Sequence, residues 1–250
     1  MNRVAQSIGK WLATYLSKEM EINGTAPASN PLHLQATLRP GDVLLVEVNT
    51  RLSGAIKYLT QSTWSHAALY VGNHFADHVP PDHCLIDADT VHGVRSTSLE
   101  KFSSLHTRIC RPIGLSEQEC AMVTMAAISQ IGHQYDLRNV IDLARYLFPT
   151  PPVPTRFRRQ LLSLGSGDPT RAICSTLIAQ AFGSIRYPII AKERKGPEPF
   201  SLEHDYQPKP FNSKHFSLLT PRDFDVSPYF AIIKPTVECG FNFHDLEWVE

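Results

Sequence analysis

The chain has 250 residues, 42% of them hydrophobic and 19% charged, a globular composition with length for one large domain or two small ones; a disordered or fibrous chain is excluded. Lys+Arg and Asp+Glu number 24 each, and a formal net charge of zero excludes strong non-specific attraction to nucleic acid or to an anionic lipid surface. Five cysteines, irregularly spaced and without a CxxC pair, exclude a disulfide framework.

No run of about 18 apolar residues is present, so no span of a bilayer is expected. The first residues, MNRVAQSIGKWLATYLSKEMEI, lack the apolar core and cleavage site of a signal peptide. The expected location is therefore cytoplasmic, with signal-less secretion as the alternative. Those residues read as an amphipathic helix, with Val4, Ile8, Trp11, Leu12, Tyr15 and Leu16 on one stripe. Residues 23–37 read as a linker. A turn at Pro40-Gly41 leads into a strand over 41–48, then a short helix over 52–60 and a strand over 65–71. A polar loop over 73–83 precedes a strand over 84–88, a possible partner over 93–96 and another strand over 107–111. Ser116 and Glu119 form a capping-box pattern that starts a helix running to about 131. Helical periodicity continues over 137–147 and 155–164, broken by PTPPVP, and again over 174–182. Residues 192–215 are Pro-rich and polar, and YFAII at 229–233 is a last strand. Strands, then helices, then a strand argue an α+β fold.

Three residues stand out chemically. Cys174 falls at the start of a predicted helix, where free N–H groups and the positive dipole end favour thiolate and can hold an oxyanion. His66 opens a strand, sharing a face with Ala68 and Tyr70, as a general base for that thiol. Asp87 interrupts an apolar strand and needs a partner if buried; an imidazole on the next strand would serve. Plainer readings stay open: a buried cysteine, a core histidine, an edge carboxylate. Asp89 and His92 are close enough to take the part of Asp87. His74, Asp77, His78 and His83 fit no familiar zinc spacing and read as a solvated loop. No metal or other cofactor is expected.

The stretches LRPGDVLL from Leu38, SGAIKYLTQS from Ser53 and TWSHAALYVG from Thr63 resemble the YiiX-like family, a permuted branch of the papain-like fold in the NlpC superfamily, related to the lecithin:retinol acyltransferase family. LIDA from Leu85, IGHQYD from Ile131, AICSTLI from Ala172 and LTPRDFDVSP from Leu219 extend the resemblance over about 38–235. It implies a circularly permuted papain-like domain, an antiparallel sheet packed against helices, with His before Cys in the chain. It also implies Cys174 as nucleophile, His66 as base and Asp87 as orienting acid, where the family usually carries Glu. Trp64, Tyr135 and Ser175 beside these motifs, and Phe157 in a helical insert at about 142–165, are expected to touch substrate. Residues 1–37 are then an N-terminal helix and linker, and 236–250 a tail.

The expected function is a cysteine-dependent acyl hydrolase or acyltransferase working through a thioester on Cys174. An acyl lipid is the first substrate class: the insert, with Leu143, Tyr146, Phe157 and Leu161, would act as an apolar lid, and it or the first helix would touch a membrane peripherally. A cell-wall peptide amidase of the NlpC type, including an exported antibacterial effector, is the alternative. A non-catalytic binding module is the third reading.

Overall fold

The structure, a computed structural model, describes residues 30–73, 79–89, 92–133, 173–190 and 216–245. The predicted insert and the first helix lie outside these residues. The stretch read as linker ends in a helix, α1 (Pro31–Thr37). Asn30 caps it, its side chain accepting the Leu32 N–H at 2.9 Å, and Pro31 supplies a preset φ at the first position. Leu34 is buried, which is why the segment is ordered rather than loose.

The strands follow where alternation placed them. β1 (Val43–Glu47) leads through α2 (Arg51–Thr60) to β2 (His66–Tyr70), then β3 (His83–Asp89), β4 (Gly93–Ser98), a 3-10 turn (Leu99–Phe102) and β5 (His106–Pro112). β6 (Phe230–Ile233) completes a six-stranded sheet of order β4-β3-β2-β1-β5-β6, with every neighbouring pair antiparallel. At the turn into β1, Gly41 has φ +91°, a left-handed conformation that favours glycine. α3 (Glu117–Ile128) starts with the capping box read from Ser116 and Glu119. α4 (Ile173–Gly183), α5 (Pro221–Asp225) and α6 (Pro235–Glu238) follow.

Both faces of the sheet are covered. On the first, Val43, Leu45, Ala67, Leu69 and Ile86 pack with α3 and with Leu177, Ile178 and Phe182 of α4. On the second, Leu44, Val46, Ala68, Leu85 and Ile109 pack under Leu34 of α1 and Phe102. α1 also packs against α6, with Thr37 Oγ1 3.8 Å from Cys239 Sγ, so the segments flanking the sheet meet each other. Among the described residues no helix is long and apolar enough to cross a membrane.

Candidate active site

His66 is the first residue of β2. Ser65 anchors the entry: its N–H donates to Val46 O at 3.2 Å, and its hydroxyl accepts the Val48 N–H at 3.0 Å. His66 pairs opposite Val46, so its ring faces the second side of the sheet, where it meets Phe102 at 5.8 Å. Leu69 pairs with Ile86, and continuing that register puts Asp87 opposite Ala68, on the same face as His66. His66 Nε2 lies 3.3 Å from Asp87 Oδ2.

Asp87 is wholly buried, which alone would favour its neutral form. Two cations join His66 in opposing this. Arg95, directly across on β4, donates from Nε to Oδ1 at 3.2 Å, and Lys101 in the 3-10 turn donates from Nζ to Oδ2 at 2.6 Å. Burial pushes the carboxyl up, but the His66 hydrogen bond and charge and the Lys101 ammonium outweigh it, holding the group ionised well below the usual carboxylate range. Arg95 and Lys101 were not singled out in the sequence. Only the β3–β4 register and the turn after β4 bring them to Asp87.

Cys174 is the second residue of α4, in the first turn, where N–H groups lack intrahelical acceptors. The helix lies on the first face of the sheet, opposite the side to which His66 points. The two meet because the sheet opens there. Val71 N–H donates toward β3, to Cys84 O, so by alternation Ala67 N–H also faces β3. Yet β2 and β3 pair only at Leu69–Ile86 and Tyr70–Leu85. Beyond them, the Ala67 N–H and the His66 ring both act on the Cys174 sulfur and favour its thiolate. With Nε2 turned to Asp87, the ring leaves Nδ1 for the sulfur.

Burial would raise this thiol, but the His66 charge, then the hydrogen bonds from His66 and Ala67 N–H, lower it below the ordinary cysteine value. The Ser175 hydroxyl, also buried, favours the thiolate weakly without closing a hydrogen bond of good geometry. Reciprocally, burial would lower the imidazole, but the thiolate charge and the Asp87 hydrogen bond raise it above the ordinary histidine value. The arrangement favours a thiolate–imidazolium pair. All five cysteines are free thiols, and burial drives Cys84, Cys110 and Cys120 the opposite way, upward.

Trp64 is buried beside a pocket, its ring 5.0 Å from that of His106 and 4.9 Å from the Arg108 guanidinium. Tyr135 and Phe157, the other expected substrate contacts, lie outside the described residues, as do His74, Asp77 and His78. His83 bonds Ser96 Oγ through Nδ1 at 2.8 Å. His92 is exposed and faces Arg95, not His66. Among the described residues no group of His, Cys, Asp and Glu is placed to hold a metal ion.

Residues 37–147 match the family described as permuted papain-like amidase enzyme, YaeF/YiiX, C92 family. The match supports a YiiX-like, permuted papain-like fold for this span. The family description supports cysteine-hydrolase activity, and the antiparallel sheet with its helices agrees with the α+β fold. The matched span contains His66 and Asp87 and ends before Cys174. No curated protein matches the chain.

Proposed function

We propose that the protein is a thiol amidase that cleaves its substrate through a thioester on Cys174. The observation that carries this reading is the Cys174 thiol, buried yet shifted toward thiolate by the His66 ring and the Ala67 N–H. The thiolate attacks the amide carbonyl carbon, and the oxyanion is received by free N–H groups of the first turn of α4. The C–N bond breaks as the His66 imidazolium passes its proton to the leaving nitrogen. Water then attacks the thioester while His66 takes its proton, releasing the acid and restoring the thiolate. Asp87 keeps the ring oriented through Nε2 and stabilises its charge. Helix, strand and carboxylate therefore act as nucleophile, base and orienting acid.

The acyl-lipid reading uses the same chemistry, but its support, the apolar–basic stretch at 142–165, lies outside the described residues. The two are separated by incubating the full chain with peptidoglycan fragments and with phospholipid vesicles and identifying products by mass spectrometry. Amide cleavage lost in Cys174→Ala is the expected result; amide cleavage retained in that variant overturns the assignment of the nucleophile. Fatty acid or lysolipid as the product instead selects the lipid reading.

A further inference from the structure

A pocket of about 570 Å3 opens where β1 ends and β5 begins, bordered by α2 and α5. Most of its charges are already matched. Glu47 accepts from Lys57 Nζ at 3.0 Å and faces His106 Nδ1 at 3.2 Å, and Arg108 Nη1 donates to Asp225 Oδ1 at 2.6 Å. Arg222 is different. Among the described residues it forms no ion pair, and its one hydrogen bond runs from Nη1 to the Thr60 carbonyl at 3.2 Å. A guanidinium carries five N–H donors in a fixed fork, so at this pocket wall most of the Arg222 donors have no partner among the described residues.

Arg108 is held in place on both sides, by Asp225 and by the Trp64 ring, and its remaining N–H groups need no reordering to bind. Trp64, on the pocket wall, lies two residues before His66 in the chain, which holds their Cα atoms within about 7 Å of each other. The pocket therefore lies within reach of a substrate that meets His66. A lipid tail here would strip water from two ion pairs without replacing it. A single carboxylate would balance the one unmatched cation and accept two parallel N–H bonds. A phosphate dianion would carry an uncompensated charge into the pocket.

We infer that this pocket is an anion subsite that anchors a side-chain carboxylate of a peptide-like amide substrate through Arg222, with Arg108 as second donor. The inference rests on the amidase reading and specifies its substrate as acidic near the scissile bond.

The test uses the full chain carrying Cys174→Ala and three fluorescent probes with amidated C-termini: dansyl-Ala-Glu, dansyl-Ala-Gln and dansyl-Ala-phosphoserine. Fluorescence polarisation should show the glutamyl probe binding at least about tenfold tighter than the glutaminyl probe. Arg222→Gln in the same background should erase that preference, and Arg222→Lys, which keeps the charge, should retain part of it. Equal Kd values in the parent chain overturn the subsite, whether or not the variants fold. So do a preference that survives Arg222→Gln and tighter binding of the phosphoseryl probe. Turnover of the glutamyl probe by the chain with Cys174 intact is read separately. Preference without turnover of any amide counts against the amidase reading alone, and turnover without preference counts against the subsite alone.

Discussion

Lys101 sets its ammonium 2.6 Å from Oδ2 of Asp87, the same oxygen that faces His66 Nε2 at 3.3 Å. The carboxylate is thus shared between a fixed cation and the imidazole. Lys101→Met should lower kcat/KM by loss of orientation. A charge-assisted bond, discounted for a Lys101 side chain that is 36% exposed, amounts to about 1 kcal/mol, or roughly fivefold. Two pH readouts distinguish this from general damage. With a neighbouring cation removed, the His66 imidazolium is favoured further, so the alkaline limb of the rate profile should move up. The Asp87 carboxyl, whose depressed pKa stabilises the fold above the ordinary carboxylate range and fails as pH falls through its folded value, is depressed less. Acid unfolding of the variant should then begin at higher pH. Unmoved limbs would mean that Lys101 merely covers the site.

Asp87→Asn keeps the shape but removes the charge that three donors share. Activity should fall about 100- to 10,000-fold, because the amide does not impose the ring tautomer that the thiol needs. Stability should fall by about 1–3 kcal/mol, because Arg95 and Lys101, each about a third exposed, lose their counter-ion but regain water. Asp87→Glu restores the charge with a longer reach, so it should recover most of both quantities. Denaturant unfolding and steady-state rates measure them. Full activity in Asp87→Asn would remove Asp87 from the mechanism.

Alkylation by iodoacetamide below neutral pH, followed by peptide mass spectrometry, should modify Cys174 ahead of Cys84, Cys110 and Cys120. Burial raises those three thiols, whereas His66 and the Ala67 N–H lower Cys174. His66→Ala should slow labelling of Cys174 while leaving the others unchanged. Cys174 labelling that ignores His66 would disconnect the ring from the sulfur.

The pH–rate profile should be a plateau rather than a narrow bell. Its acid limb follows formation of the thiolate and lies below the ordinary cysteine value. Its alkaline limb follows loss of the imidazolium proton and lies above the ordinary histidine value of 6.5. The same pair adds stability that, for His66, is present at low pH and disappears as pH rises through its raised folded value. An alkaline limb near pH 6.5 would mean that thiolate and imidazolium are not paired.

Much of the local structure was legible in the residues. Alternation in VLLVE and HAALY, and the Ser116–Glu119 capping box, act over a few neighbouring residues, so β1, β2 and α3 fall where the pattern put them. Asn30-Pro31, a cap followed by a residue suited to the first helical position, was the signal for α1, hidden within a stretch rich in Pro and Ser. His66, Asp87 and Cys174 were singled out because each is chemically out of place in its own segment. That signal is local as well.

What brings those three together is not local. Asp87 reaches His66 through the β2–β3 register, and Cys174 reaches His66 only because that ladder stops at Leu69–Ile86 and leaves the Ala67 N–H to the sulfur. Arg95 and Lys101 converge on Asp87, and Arg222 arrives beside Trp64 from 158 positions along the chain, by strand pairing and helix packing. A sequence pattern records which side chains have suitable chemistry. The electrostatic field that shifts their pKa values falls off with distance in space, and only the folded sheet sets that distance.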